Sequence, residues 1–568
     1  MNKFFAFIKV LLCLVIFTSC KGSEEQELVT PEILYFQVVT SSGQISCTIN
    51  NSKGVVSIPQ VKKGDEILSV KYQLTQGSTI YPEPSSKIGN WKKEEEFVVS
   101  FPKGESKKYK TILIDYSENG SGPTVYDPQA TIYTGNLYGR LTKYFFFDIK
   151  DGGNVTADKA KKFYQTEEMN GIRVPIYGNY KDGKLLGHPA AGEVIADDYA
   201  KVISSIQNAR QYNPNLLVFA SKKLNGSESF PKWVMDSNGV NVDKYVGMLI
   251  DYLKFMKSRG IEVDVLGIDN EYNFNEGNIT ANRYYNIVNL LKTKITEEQL
   301  KMPRFIGPER YNPQGFTSGN WLYNLFDLDK QGATIDIYGT HYYPRHHYFS
   351  MNKALKTEFN AINNKNMEFW ATEPHWDNEE LAKEDPLGCA RMAICALWDQ
   401  TDLGMDGFMW WAYPYDENDL RSVLMHDISN AIYNSQPIKM IDHDGEELLG
   451  TKDYSGKWTD SRQKPNNDPI FDQRLHTRAF IKKGNIVNVY LLNVRYKVDV
   501  NLGQGSSLKD YLIKVSDSQI DGDVEMMQWT DNTSVQGSKG KAKKISDEMI
   551  SVDLPLRSIT RLTFKIKK

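Results

Sequence analysis

With 568 residues the chain is long enough for one large barrel with smaller modules attached, on a prior of roughly 150 residues per domain. A formal net charge of −3, from 68 Lys and Arg against 71 Asp and Glu, excludes a nucleic-acid binder, because such proteins concentrate positive charge to neutralise phosphates. Of the five cysteines, Cys13 and Cys20 lie in the leader, and Cys47, Cys389 and Cys395 lack the repeated short spacing of a disulfide framework or a zinc site.

The chain opens with a targeting segment that belongs outside the fold. Lys3 and Lys9 flank an apolar stretch, Val10 to Phe17 continues it, and Phe17-Thr18-Ser19-Cys20 closes it with small residues before a cysteine. Residues 1–20 resemble a bacterial lipoprotein signal, and the polar segment Lys21 to Gln26 resembles the export tether of Bacteroidetes surface lipoproteins. The resemblance implies acylation of Cys20 and an outer-membrane lipoprotein at the cell surface or in the periplasm. An ordinary cleaved secretory signal is the alternative.

Between 27 and 117, short runs alternate apolar and polar residues: Ile33 to Val39, Val55 to Ile58, Ile67 to Tyr72, Glu96 to Phe101 and Lys110 to Asp115. Gly, Pro, Asn and Ser separate them at the intervals of a small antiparallel sandwich. An immunoglobulin-like spacer is expected here, with a carbohydrate-binding module as the functional alternative. Ser117 to Pro128, rich in Ser, Gly and Pro, reads as a linker.

From 130 to 435 the pattern changes to apolar runs of about six residues alternating with helical periods, which is the signature of parallel sheet with crossover helices. The predicted strands are Tyr144 to Ile149, Gly171 to Tyr177, Leu216 to Ser221, Val263 to Asp269, Arg304 to Pro308, Ile335 to Thr340, Glu368 to Thr372 and Gly407 to Ala412. Strand–helix units in that number over this length predict an α/β fold, a (β/α)8 barrel. From 436 to 568 short strands return, among them Thr477 to Ile481, Ile486 to Leu492, Tyr511 to Val515, Met549 to Leu554 and Thr560 to Ile566, which predicts a C-terminal β-sandwich. The interval Gly445 to Pro469 has neither period.

Barrel enzymes keep their chemistry at the C-terminal tips of the strands. The run Asp264-Val-Leu-Gly-Ile-Asp-Asn-Glu271 delivers Glu271 to the tip of the fourth strand, and Glu368-Phe-Trp-Ala-Thr-Glu373 delivers Glu373 to the tip of the seventh. Two carboxyl groups across a cleft are what glycoside hydrolysis needs: an acid for the departing oxygen, and a carboxylate that attacks the anomeric carbon in a retaining enzyme. Glu309, in Gly-Pro-Glu-Arg310, is a rival carboxylate assigned to substrate binding. Lys222 and Lys223 after strand three, Arg310 after strand five and Arg345-His-His347 after strand six predict a cationic rim, suited to sulfate or uronate groups.

At these residues the chain resembles the clan A glycoside hydrolases, across the whole barrel. The resemblance implies that Glu271, preceded by Asn270, is the acid/base and Glu373 the nucleophile. It implies that Asn270 bonds the sugar 2-OH and that Arg173, in Arg-Val-Pro-Ile, keeps the nucleophile ionised. His341 and Tyr343, in Gly-Thr-His-Tyr-Tyr-Pro344, would stand beside the nucleophile. Trp410 or Trp411 would floor the subsite of the attacked sugar, and the sequence leaves open which. Within the clan, the Arg-Val-Pro-Ile strand, the Trp-Ala-Thr-Glu motif and the appended sandwich are similar to family 30. The segment Asn466 to His476, followed by Tyr490-Leu-Leu-Asn493, is similar to the family 86 agarases and porphyranases. The expected protein is a monomeric retaining endo-β-glycosidase acting on a polysaccharide such as an anionic algal galactan, with no cofactor and no metal. A family 30-like β-glucanase or xylanase is the near alternative, and a surface glycan-binding lipoprotein without turnover the alternative of another class. A metal-dependent hydrolase is disfavoured, because no His-x-His or clustered His/Asp pair sits on strand one.

Overall fold

The structure, a computed structural model, describes residues 30–567 except 42, 59–65, 93, 103, 114–127, 151–152, 166–168, 275–277, 314, 344–347, 375–382, 411–417, 443–474, 495–496 and 498–505. The leader with Cys20, the tether, the linker residues 117–127, Arg345, Trp411, the interval 445–469 and the segment 466–474 therefore lie outside the described residues. The side chain of Trp410 does too. The chain divides into two units, Met1–Asp127 and Pro128–Lys568.

In the first unit a three-stranded sheet (Gly43–Ser46, Ile33–Thr40, Ile67–Leu74) and a five-stranded sheet (Thr48–Asn50, Val55–Ile58, Ser106–Leu113, Glu94–Ser100, Thr79–Tyr81) share one core. The inward residues of both sheets, among them Ile33, Phe36, Val38, Val56, Phe97 and Val99, form a single apolar cluster. Burying such faces against each other removes them from water at roughly 25 cal/mol per Å².

In the second unit eight parallel strands close into a barrel in sequence order: Tyr144–Asp148, Gly171–Ile176, Leu217–Lys222, Val265–Gly267, Arg304–Tyr311, Ile337–Tyr342, Glu368–Pro374 and Gly407–Trp410. They are the predicted strands, shifted by a few residues at their ends. Their near-continuous apolar runs follow from burial on both faces, one toward the helices and one toward the barrel interior. Phe146, Phe219, Val265, Ile306, Ile337, Trp370 and Met409 fill that interior. The second strand gives it Gly171 instead, whose Cβ would lie 2.0 Å from the Phe146 ring, so the phenylalanine uses the vacated volume. Side-chain caps start several of the surrounding helices: Thr156 before Ala157–Tyr164, Asn241 before Val242–Ser258, Thr280 before Ala281–Glu297 and Asn320 before Trp321–Leu328.

The C-terminal strands belong to a nine-stranded closed sheet, where a β-sandwich over 436–568 is expected. Its ninth member is Ala130–Leu137, which pairs with Ser435–Asp442 on one side and Leu508–Ser516 on the other. The residues from 130 onward therefore do not start the barrel, which begins at Tyr144. The physical reason is that Ala130 and Ile132 bury with Ile438 and Met440 in the core of the C-terminal sheet. Ser538–Ser546 escaped prediction because it is lysine-rich, leaving few apolar positions to show a period, and Gln519–Thr530 because the irregularity between Asp521 and Glu525 breaks its alternation.

Candidate active site

The site is built by strand alternation continued to the tips. From inward-facing Phe146 the parity leads to Asp148 and Lys150, and from Gly171 to Arg173. It leads likewise from Phe219 to Ser221, from Val265 through Gly267 and Asp269 to Glu271, and from Ile337 through Gly339 to His341 and Tyr343. Strands five and seven would instead deliver Pro308 and Thr372. Each carries a register irregularity at this height, between Pro308 and Arg310 and beside Thr340 and His341. These bulges re-aim the next side chains, and Glu309 and Glu373 take the inward places. Glu271 and Glu309 also hold positive φ, 50° and 49°, a conformation that costs a non-glycine residue of order 1 kcal/mol and clusters at functional sites.

Glu373 is 3% exposed and both its oxygens are bonded. Oε1 accepts from Lys150 Nζ at 2.5 Å and from Arg173 at 2.8 Å, and Oε2 from the Tyr343 hydroxyl at 2.8 Å. His341 Nδ1 lies 3.1 Å from Oε2. Burial alone would raise the carboxyl pKa, but His341, Lys150 and Arg173 together outweigh it and hold Glu373 well below the usual carboxylate range. Burial and the adjacent Glu373 and Glu271 push the Tyr343 phenol well up, so it remains a donor.

Glu271 is surrounded differently. Its Oε1 lies 3.1 Å from the same His341 Nδ1, Oε2 accepts from the Asn225 amide, and its backbone N–H donates to the Glu309 carbonyl at 2.8 Å. Among the described residues no lysine or arginine bonds to it. One oxygen each of Glu271 and Glu373 and one nitrogen of His341 lie within 4.8 Å of one another. The three could ligate a metal, yet Glu373 already holds two fixed cations, which oppose a third positive charge at the same carboxylate.

Arg173 is the hub beneath. Fully buried, it donates to Asp148 at 2.7 Å, to the Thr372 carbonyl at 2.9 Å, to Glu373, to Ser221 at 3.2 Å and to Glu309. Burial would lower its pKa, but Glu309, Asp148 and Glu373 raise it further, so it stays charged.

Two expected substrate contacts are corrected. Glu309 is fully buried, bonded to Arg173 and at 2.9 and 3.0 Å to Ser221. It occupies the space that Gly267 leaves, where a Cβ would lie 1.9 Å from its Oε1, and so cannot reach a ligand. Arg310 is 1% exposed and turns outward, bonding Glu358 of the helix Tyr348–Asn363 at 2.9 Å and covering the Tyr272 ring. The bulge that turns Glu309 inward turns the next residue out. Of the cationic rim, Lys222 is also buried, bonded to Leu224 O at 2.9 Å and to Ser229. Lys223 is half-buried, and burial, reinforced by Lys150, lowers its pKa to about 8. Asn270 is buried after strand four, its Oδ1 accepting from Lys150. Lys150 and Asp148 went unnoticed in the sequence; the only signal was two charged residues closing the apolar run Tyr144 to Ile149 at its C-terminal end.

Two solved structures share this architecture. A glycoside hydrolase family 30 subfamily 8 xylanase from Clostridium acetobutylicum is 15% identical, with a TM-score of 0.52, covering 77% of this chain and 99% of its own. A family 30 endoxylanase from Clostridium papyrosolvens is 13% identical, with a TM-score of 0.51, covering 77% of this chain and 100% of its own. The likeness is one of fold. No protein-family model and no curated protein matches the chain.

Proposed function

We propose that the chain is a retaining β-glycosidase that cleaves within a polysaccharide, with Glu271 as acid/base and Glu373 as nucleophile. The observation that carries this reading is the approach of the two carboxyl groups to within 4.8 Å of each other, together with their unequal surroundings. Retaining enzymes hold the pair about 5 to 5.5 Å apart, whereas inverting enzymes leave room for a water at about 6.5 Å or more. A carboxylate kept ionised by cations beside one that meets an imidazole and an amide is a division into nucleophile and proton donor. Glu271 gives its proton to the departing glycosidic oxygen while Glu373 bonds to the anomeric carbon. Glu271 then takes a proton from water, whose oxygen displaces Glu373.

For the finer assignment we infer an anionic galactan of the agarose and porphyran type, supported by Lys223 at the mouth and by the cationic segment 345–347. A second reading, a neutral or xylan-type chain, is favoured by Arg310 turning away from the cleft. We further propose a monomer anchored to the outer membrane through acylated Cys20, with the first unit as an immunoglobulin-like spacer. Digestion of agarose, porphyran and xylan, with product analysis, tests the assignment. Glu373→Gln should abolish cleavage, because no covalent intermediate can form. Glu271→Ala should lose about 10²- to 10⁴-fold, and azide should restore activity. Wild-type activity in Glu373→Gln would remove the reading.

A further inference from the structure

Lys150 has no part in the scheme above, yet its surroundings leave it little else to do. It lies just past the end of the first barrel strand, 3% exposed, and its ammonium donates to Glu373 Oε1 at 2.5 Å and to Asn270 Oδ1. Burying an ammonium is costly unless it is paired and hydrogen-bonded, and both bonds here go to the mouth of the barrel.

Arg173, the other cation on Glu373, differs in kind. It divides its charge among Asp148, Glu309 and Glu373. Lys150 has one carboxylate partner, Glu373, and one neutral partner, the Asn270 amide, so the larger share of its field falls on the nucleophile. The second bond ties it to the residue preceding Glu271. One ammonium thus links the tips of strands one, four and seven.

The geometry points to Lys150 as a positioning residue of the reaction, a dedicated cation that holds Glu373 ionised and fixes the Asn270–Glu271 tip against it. The inference rests on the glycosidase reading. The charged or titratable groups around Glu373 are Lys150 and Asp148 from strand one, Arg173 from strand two and Lys223 after strand three. Glu271 follows from strand four, Glu309 from strand five behind Arg173, and His341 and Tyr343 from strand six. Of the cations, Lys150 is the one whose removal strips charge from Glu373 without breaking the Arg173 cluster.

The test is kcat and KM against pH for Lys150→Met, Lys150→Gln and Lys150→Arg, on whichever of agarose, porphyran and xylan the wild-type protein cleaves. Removing a cation raises the pKa of the carboxylate it stabilised, so the acid limb of kcat/KM should move to higher pH in Lys150→Met and Lys150→Gln, by about one unit. Lys150→Met should also lower kcat about 100-fold, the scale of losing one preorganised donor, with KM little changed. Lys150→Arg should keep the wild-type limb. An unmoved limb in Lys150→Gln, whose amide keeps the bond to Asn270, would overturn the inference, even where Lys150→Met fails to fold. Failure of the glycosidase reading looks different: the wild-type protein would then cleave none of the three polymers, or Glu373→Gln would cleave as well as wild type, and either result would overturn the inference with the reading it rests on.

Discussion

Arg173 touches three carboxylates while fully shielded from water, and this sets what each neighbour can do. Glu309 serves as a counter-charge that keeps Arg173 in place, and the arginine in turn keeps Glu373 ionised. The folded-state pKa of Glu373 is depressed, so its contribution to stability is present above the unfolded value and is lost as pH falls through the folded one. Activity should accordingly persist to pH values where an ordinary glutamate is protonated. Arg310 gives a contrasting prediction. Arg310→Met would take the guanidinium from the buried Glu358 carboxylate, which the Tyr338 hydroxyl and the Gly315 N–H also bond at 2.6 and 3.0 Å, so stability should fall by about 3 to 5 kcal/mol, measured by denaturant unfolding, with KM for porphyran unchanged. An unchanged stability with a raised KM for porphyran alone would restore Arg310 to the substrate. The sequence showed the two catalytic candidates because each ends an apolar run. It hid Lys150, since a lysine after a strand reads as solvated until Asn270 and Glu373 are seen around it.

At the scale of the elements, the strands were legible because both faces of a barrel strand are apolar, and Asn270-Glu271 and Glu373 stood at their ends. What could not be read was parity. Counting outward from Trp370 aims Thr372 into the mouth and Glu373 away, and only the irregularity beside Thr340 and His341 reverses this. On strand five the irregularity between Pro308 and Arg310 likewise decides that Glu309 turns in and Arg310 out, although both simply follow the strand in the sequence. Packing between strands four and five yields a test. Gly267→Ala would bring a methyl to 1.9 Å from Glu309 Oε1, which must displace the carboxylate from Arg173. Overpacking of this kind costs about 1 to 3 kcal/mol, and turnover should fall with it although residue 267 meets no substrate. Full activity and stability in that variant would mean that the Glu309–Arg173 contact does not matter to the site.

For the whole molecule, the closed sheet at the C-terminus keeps a core of its own and on one side joins the barrel's. Tyr490, Leu492, Trp529 and Ile559 belong to the same apolar cluster as the barrel helices, and Arg478–Asp402 and Arg561–Asp427 bond the two at 2.9 and 2.7 Å. A chain ending before His476 should therefore fail to fold, judged by solubility and loss of cooperative unfolding. A chain starting at Pro128 should keep its activity on soluble polymer, because the first unit closes its own core. Cys20→Ser should move the protein out of the membrane fraction without changing that activity, since two acyl chains anchor stably where none remain after the substitution; wild-type protein found free would sink the lipoprotein proposal. The central claim, that Glu373 attacks and Glu271 donates, is tested most directly by the anomeric configuration of the first-formed product, followed by proton NMR before mutarotation. The spacing of the two carboxyl groups predicts retained β configuration, and an α product would contradict it.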